Sequence, residues 1–104
     1  MIFFTFVWDE DKNKLNRAKH GISFVEAEQV FYDEYMLYDL DLKHSSDEER
    51  FKALGMSEKP RLLMVVHCIN DGHEVRIISA RKATKKEEVM YNNERRIRFY
   101  KRDL

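Results

Sequence analysis

Apolar and polar positions alternate with two distinct periods along the chain, and the switches between them mark the elements. Ile2 to Trp8 is aromatic and β-branched, which predicts a first strand. Asp9 is a natural N-cap, and Asp9-Glu10-Asp11 place acids at the positive end of a helix dipole. That helix runs through Leu15 and Ala18 to Lys19-His20 and stops at Gly21. Ser23 with Glu26 forms a capping box that opens a second helix, with Phe24, Ala27, Val30 and Phe31 on one face. Met36 to Leu42 then alternates: Met36, Tyr38, Leu40 and Leu42 face one way and Asp39 and Asp41 the other, as in a half-buried strand.

His44 to Asp47 is polar and turn-like. Asp47 to Phe51 fits a short strand or a helical turn equally, and Gly55 to Pro60 reads as a loop. Leu62 to Ile69 is a nearly continuous apolar run and the best central strand. Asn70-Asp71-Gly72 marks a hairpin, because Asp-Gly readily supplies the positive φ angles of a tight turn. Glu74 to Arg81 is the return strand. Thr84 with Glu87 forms another capping box and starts a last helix that runs past Tyr91 into a basic end, Arg95 to Arg102, open to fraying.

The order β-α-α-β-(β)-β-β-α, with short connections, predicts an α+β fold. The sheet is expected to be antiparallel, with the two early helices on one face and the last helix crossing the sheet or extending from it. Residues 1–104 make one domain, with 92–104 as a basic extension of the last helix. Net charge is zero, so nothing global demands nucleic acid, but the distribution is uneven. Residues 1–75 carry 9 basic and 15 acidic side chains, whereas residues 76–104 carry 10 basic and 4 acidic. A basic face or tail against an acidic front is expected. The single cysteine, Cys68, cannot form an internal disulfide and reads as a buried structural thiol. The first residues lack the basic region of a signal peptide, and no run approaches the roughly 20 apolar residues of a membrane span. A cytosolic protein is expected.

Candidate chemistry gathers where strand passes into helix, in VRIISARKATKKEEVMY, Val75 to Tyr91. Arg76 lies within a strand, so its guanidinium needs a carboxylate, a carbonyl or a ligand. Arg81 is near the strand end, where solvent alone could satisfy it. Strict alternation sets the two on opposite faces, and they converge only if the strand ends or bulges near Ser79-Ala80. Arg50 sits beside Glu48 and Glu49, and a surface salt bridge would explain it. Lys19-His20 closes a helix, where a proton-transfer group and a cation favoured by the dipole are both admissible. Tyr91 is either core or a phenol that stacks on a base or relays a proton. His20, His44, His67, His73 and Cys68 show no metal-ligand spacing, and there is no glycine-rich phosphate loop.

Two segments together resemble a known family: WDEDKNKLNRAKHGISFVEAEQVF, Trp8 to Phe31, and VRIISARKATKKEEVMY, Val75 to Tyr91. With DEERFKALG between them and the strand Leu62 to Ile69, the chain resembles the BrnT-type toxins of type II toxin–antitoxin pairs. Trp8-Asp9, Asn16, Lys19-His20-Gly21, Phe24, Arg50, Gly55 and Ile78-Ser79-Ala80-Arg81 match in order, up to about Tyr91. The resemblance implies a RelE-like fold and a ribonuclease that arrests translation. It also implies a small BrnA-like antitoxin that covers the toxin and supplies the DNA binding. On that basis Arg50, Arg76 and Arg81 are expected to hold phosphate charge in a metal-independent, cofactor-free cleavage of RNA. His20 is then a general acid or base, Lys19 an electrostatic support, and Tyr91 a stacking or relay group. The competing expectation is a non-catalytic module that binds RNA or a protein.

Overall fold

The computed structural model describes residues 4–102, with side chains through Arg98. The elements follow as β1 (Thr5–Val7), α1 (Glu10–His20), α2 (Phe24–Gln29), a 3-10 turn (Val30–Tyr32), β2 (Leu37–Leu40), a second 3-10 turn (Leu42–His44), β3 (Phe51–Met56), β4 (Leu62–Asn70), β5 (Glu74–Lys82) and α3 (Lys85–Arg102). The expected first strand begins at Ile2, and its first two residues lie outside the described region. Asp103 and Leu104, at the end of the basic extension, do so too. The helix itself continues to Arg102.

The expected caps are in place. Asp9 Oδ1 accepts the Asp11 and Lys12 N–H groups at 2.8 and 3.3 Å, and Gly21 ends α1 at φ 70°. Thr84 and Glu87 exchange both bonds of a capping box: Thr84 N–H donates to Glu87 Oε1 and Glu87 N–H donates to Thr84 Oγ1. The Ser23 box is only half made. Ser23 Oγ takes the Glu26 N–H, but the Glu26 carboxylate turns to Arg61 and Ser57 instead. The β4–β5 hairpin turns at Asp71 (φ 53°) and Gly72 (φ 77°) and closes with His73 N–H to Asn70 O.

Five strands form one sheet in the order β1-β5-β4-β3-β2. The sheet is mixed, not antiparallel throughout, because β1 pairs parallel to β5. Short loops force antiparallel pairing only on consecutive strands. β1 is separated from β5 by most of the chain, so its direction is set by its exit into α1. β3 also corrects the expectation: Phe51–Met56 is a strand, with Gly55 inside it where a loop was expected. Gly55 is required by close approach. A Cβ there would lie 2.7 Å from Val30 Cγ1 and 3.1 Å from Val30 O. The edge strand β2 is wetter than its alternation implied. Tyr38 and Leu42 are 69% and 77% exposed, whereas Asp41 is buried.

One sheet face carries the main core. Phe24, Ala27 and Val30 of α2 and its following turn pack on Ala53, Leu63, Val65, Val75, Ile77 and Ala80. α1 contributes no apolar side chain to this core. Its Leu15 is 69% exposed, and its buried residues are Asn13 and Asn16. α3 packs on the opposite face at one end, where Tyr91 meets Leu54 and Met64. Among the described residues no helix covers the rest of that face; the segment from Asp41 to Glu48 borders it, lining a cavity and pairing Glu48 with Arg76. No helix among the described residues is long and apolar enough to cross a membrane.

Two predictions follow from the packing. Gly55→Ala should destabilise the fold by about 1–3 kcal/mol, because the stiff β-branched Val30 has nowhere to move. A chemical denaturation midpoint unchanged by the substitution would contradict that contact. The second concerns His67, buried in ring contact with Phe31 and Phe51 and held by burial at a pKa of about 4. The unfolded imidazole titrates near 6.5, so the unfolded state binds more protons between these values, and stability must fall as pH drops through that window. The loss from pH 7 to pH 5 should be about 2 kcal/mol. The melting temperature of the wild type should fall over that range and that of His67→Leu should stay nearly flat. Parallel slopes would contradict it.

Candidate active site on the open face of the sheet

The β4–β5 pairing shifts by one residue between Val66 and His67, which leaves Ile78 as an extra residue in β5. Below the bulge Val75 and Ile77 point to the core. Above it Ala80 does, so Ser79 and Arg81 join Arg76 on the other face. The two arginines that strict alternation separates are therefore on one face. The register confirms the sharing: Arg76 pairs with Cys68, Ser79 with Val66 and Arg81 with Met64, three alternate residues of β4.

Each arginine is held by a carboxylate from a neighbouring segment. Arg81 makes a bidentate pair with Glu87, at 2.8 and 3.0 Å, and this pairing draws the Glu87 carboxyl down to a pKa of about 2. Glu87 is thus both cap and clamp. Arg76 pairs with Glu48 and lies 3.7 Å from Cys68 Sγ. The Glu48 carboxyl is lowered chiefly by that hydrogen bond, while burial raises the Cys68 thiol. Among the described residues Arg50 makes no salt bridge; Glu48, one of the two carboxylates expected beside it, pairs with Arg76 instead. The Arg50 Nε is buried without a hydrogen-bond partner among the described residues.

Asn16 brings α1 to this face. Its buried side chain accepts the Ala80 N–H at 3.0 Å and donates to Ala80 O and Ile22 O, both at 2.8 Å. One turn later His20 lines a cavity of about 350 Å³ together with Lys52, Ser79, Arg81, Asp41 and His44. Lys19 is exposed and lines no part of it. Tyr91 is buried, its hydroxyl 2.5 Å from Asp33 Oδ2, and burial with that bond raises its pKa. It packs with Met64, a cavity-lining residue, but does not itself line the cavity. The structure thus sets His20 and Arg81 on one cavity, places Arg76 further along the same face, and leaves Lys19 and Tyr91 out of the cavity lining.

Sequence reasoning missed Lys52, which lies between the two ends of the face, because β3 was not recognised as a strand. It also passed over Asp41 and His44. Their spacing of three residues across a turn was the available signal. Chemically, the face offers fixed cations for a phosphate and imidazoles for proton transfer. Among the described residues no group of three or more His, Cys, Asp or Glu side chains is placed to hold a metal ion.

Comparison with known proteins gives the family and the fold. Residues 8–87 match the family model described as the ribonuclease toxin, BrnT, of type II toxin–antitoxin systems. The match takes in His20, Arg50, Lys52, Arg76 and Arg81 and stops before Tyr91. No curated protein sequence matches the chain. Among solved structures, the crystal structure of the Brucella abortus ribonuclease toxin BrnT superposes with a TM-score of 0.57 at 23% identity, covering 79% of this chain and 99% of that one. That likeness carries the α+β fold, and the family match carries the classification. The chain belongs to the BrnT family of ribonuclease toxins of type II toxin–antitoxin systems, whose partner is a protein antitoxin.

Proposed function

We propose that this protein is a metal-independent endoribonuclease that cleaves RNA through attack of the substrate's own 2′-OH on the neighbouring phosphate, and that it inhibits translation by doing so. The observation that carries this reading is the bulge at Ile78, which sets Arg76 and Arg81 on one open face with Lys52 and His20. RNA supplies its own nucleophile, so the protein need only move protons and stabilise the charged phosphorane. Guanidinium groups meet phosphate oxygens in bidentate fashion, and fixed positive charge aimed at the developing anion lowers the barrier. Arg76 and Arg81 take that role, with Arg50 beside them. His20 moves a proton, and Lys19 adds to the positive field from outside the cavity. Cationic side chains neutralise the phosphate themselves and repel a divalent ion, which supports independence from metal.

The reading extends to the cell. The fold is taken as RelE-like, the antitoxin as a small BrnA-like protein that covers this face and carries the DNA binding, and the compartment as the cytoplasm. A non-catalytic RNA- or protein-binding module is the alternative. It is favoured by the fact that both arginines already have carboxylate partners, Glu48 and Glu87.

Two measurements separate these readings. Purified protein should cut a labelled RNA in excess EDTA and leave cyclic-phosphate ends. Arg81→Ala should lower the rate by roughly 10²–10³, the usual worth of one group that stabilises developing charge. Abolition of cutting by the chelator would sink metal independence, and no cutting by folded wild type would favour the binding module. His20→Gln should lower the single-turnover rate by roughly 10²–10⁴. The loss of His20 from a helix C-terminus should cost less than about 1 kcal/mol of stability. A variant with normal cleavage and a lowered melting temperature would reduce His20 to a helix cap.

A further inference from the structure

Across the cavity from α1, the chain turns through Asp41-Leu42-Lys43-His44. Asp41 occupies the N-cap position of the 3-10 turn Leu42–His44, yet its side chain makes no cap hydrogen bond. Its Oδ2 lies instead 2.8 Å from His44 Nδ1. The carboxylate is 4% exposed and the imidazole 55%. A buried carboxylate is expensive unless its partner is fixed, and here the backbone fixes it. Asp41 N–H donates to Arg50 O at 2.7 Å, Asp41 O accepts the Ser45 hydroxyl at 2.7 Å, and Ser45 Oγ in turn accepts the Arg50 N–H at 3.0 Å. The carboxylate is thus anchored by a closed ring of bonds and aimed at an exposed ring.

A carboxylate can only accept, so the proton between the pair sits on Nδ1. Nε2 is left with a free lone pair on the exposed side. His44 and His20 line the same cavity, with Lys43, Lys52 and Arg81 as the other charged groups around it. Its volume of about 350 Å³ lies at the lower end of the roughly 300–1,000 Å³ of small-ligand sites, enough for one nucleotide unit.

We propose that His44, oriented by Asp41, is the general base and His20 the general acid for RNA cleavage at this cavity. The assignment rests on the ribonuclease reading above. His44 Nε2 takes the proton of the 2′-OH as the 2′-oxygen bonds to phosphorus. The P–O5′ bond breaks with its electron pair on O5′, which receives the proton of a protonated His20. The products are a 2′,3′-cyclic phosphate and a 5′-hydroxyl. Arg81 and Lys52 hold the equatorial oxygens, and the two histidines exchange protons with water to reset. Asp41 touches no substrate atom and is a positioning residue.

The test uses two oligonucleotides with a single ribonucleotide, one normal and one with sulfur in place of the leaving O5′. A thiolate departs without a general acid. His20→Ala should lose roughly 10²–10⁴ in rate on the oxygen substrate and stay within about tenfold of wild type on the sulfur one. His44→Ala should lose a comparable factor on both. His44→Asn, whose amide can still donate to Asp41, should do the same while keeping the loop intact. Asp41→Asn should lose rate on both substrates alike, as His44→Asn does, while a 2′-O-methylated RNA still binds as to wild type, a split that a packing defect does not produce. A folded His44→Asn that cuts both substrates at the wild-type rate overturns the pair and leaves Arg76, Arg81 and His20 in place. Equal losses for His20→Ala on both substrates overturn the acid assignment. Failure of wild type to cut either substrate removes the ribonuclease reading, and the pair with it.

Discussion

The structure depends on a single asparagine. β1 pairs with β5 only over Glu74 to Arg76, so the upper part of β5 has an edge without a strand beside it. Asn16 fills that edge, with its amide meeting the Ala80 N–H and C=O as a neighbouring strand would. A buried backbone group left without a partner costs roughly 1–3 kcal/mol, so this bond decides where α1 can lie. α1 has no apolar stripe to hold it otherwise. Its other buried anchor, Asn13, accepts the Phe24 N–H and so sets the start of α2. Two polar side chains one turn apart therefore dock a helix that hydrophobic burial would not dock. As a consequence His20 overlooks the cavity.

The second determinant is the bulge at Ile78, one residue from where the sequence required it. Without the extra residue, Arg76 and Arg81 would point to opposite faces and one of them would face the apolar core. With it, the core keeps Val75, Ile77 and Ala80, and both guanidiniums are on the open side. Glu48 and Glu87 then act as partners that orient the arginines before a substrate arrives. One brace, Glu48, comes from the acidic front of the sequence, and the other, Glu87, from within the basic rear itself.

The elements with local signatures were legible in the sequence: the Asp9 and Thr84 caps, the Gly21 stop, the Asp71-Gly72 turn, and the apolar strand at Leu62. What escaped depends on distant partners. β3 was hidden because Gly55 imitates a loop residue, whereas its role is to let Val30 approach. The parallel β1 was hidden because no turn connects it to β5. Tyr38 and Leu42 alternated as a core face should, but β2 is an edge strand that ends at Leu40, and both side chains are mostly exposed. Asn16 stood out only through the resemblance and Asn13 not at all, because an asparagine in a polar helix carries no signal of burial. Of the candidate site, the arginines and His20 were readable by type. Lys52 disappeared with β3, and Asp41–His44 disappeared because Asp41 reads as the wet face of a strand running to Leu42, with His44 in the polar segment after it.

The central claim is that the open face of β3, β4 and β5 is where RNA meets the protein. It is tested most directly by titrating the labelled protein with a short RNA whose 2′-hydroxyls are methylated and cannot attack, while recording amide and histidine ring shifts. The account predicts that Lys52, Val66, Ser79 and Arg81 and the rings of His20 and His44 move together, with the exposed side of α1 around Leu15 unchanged. Shifts confined to the basic end of α3, with the sheet face silent, would contradict it.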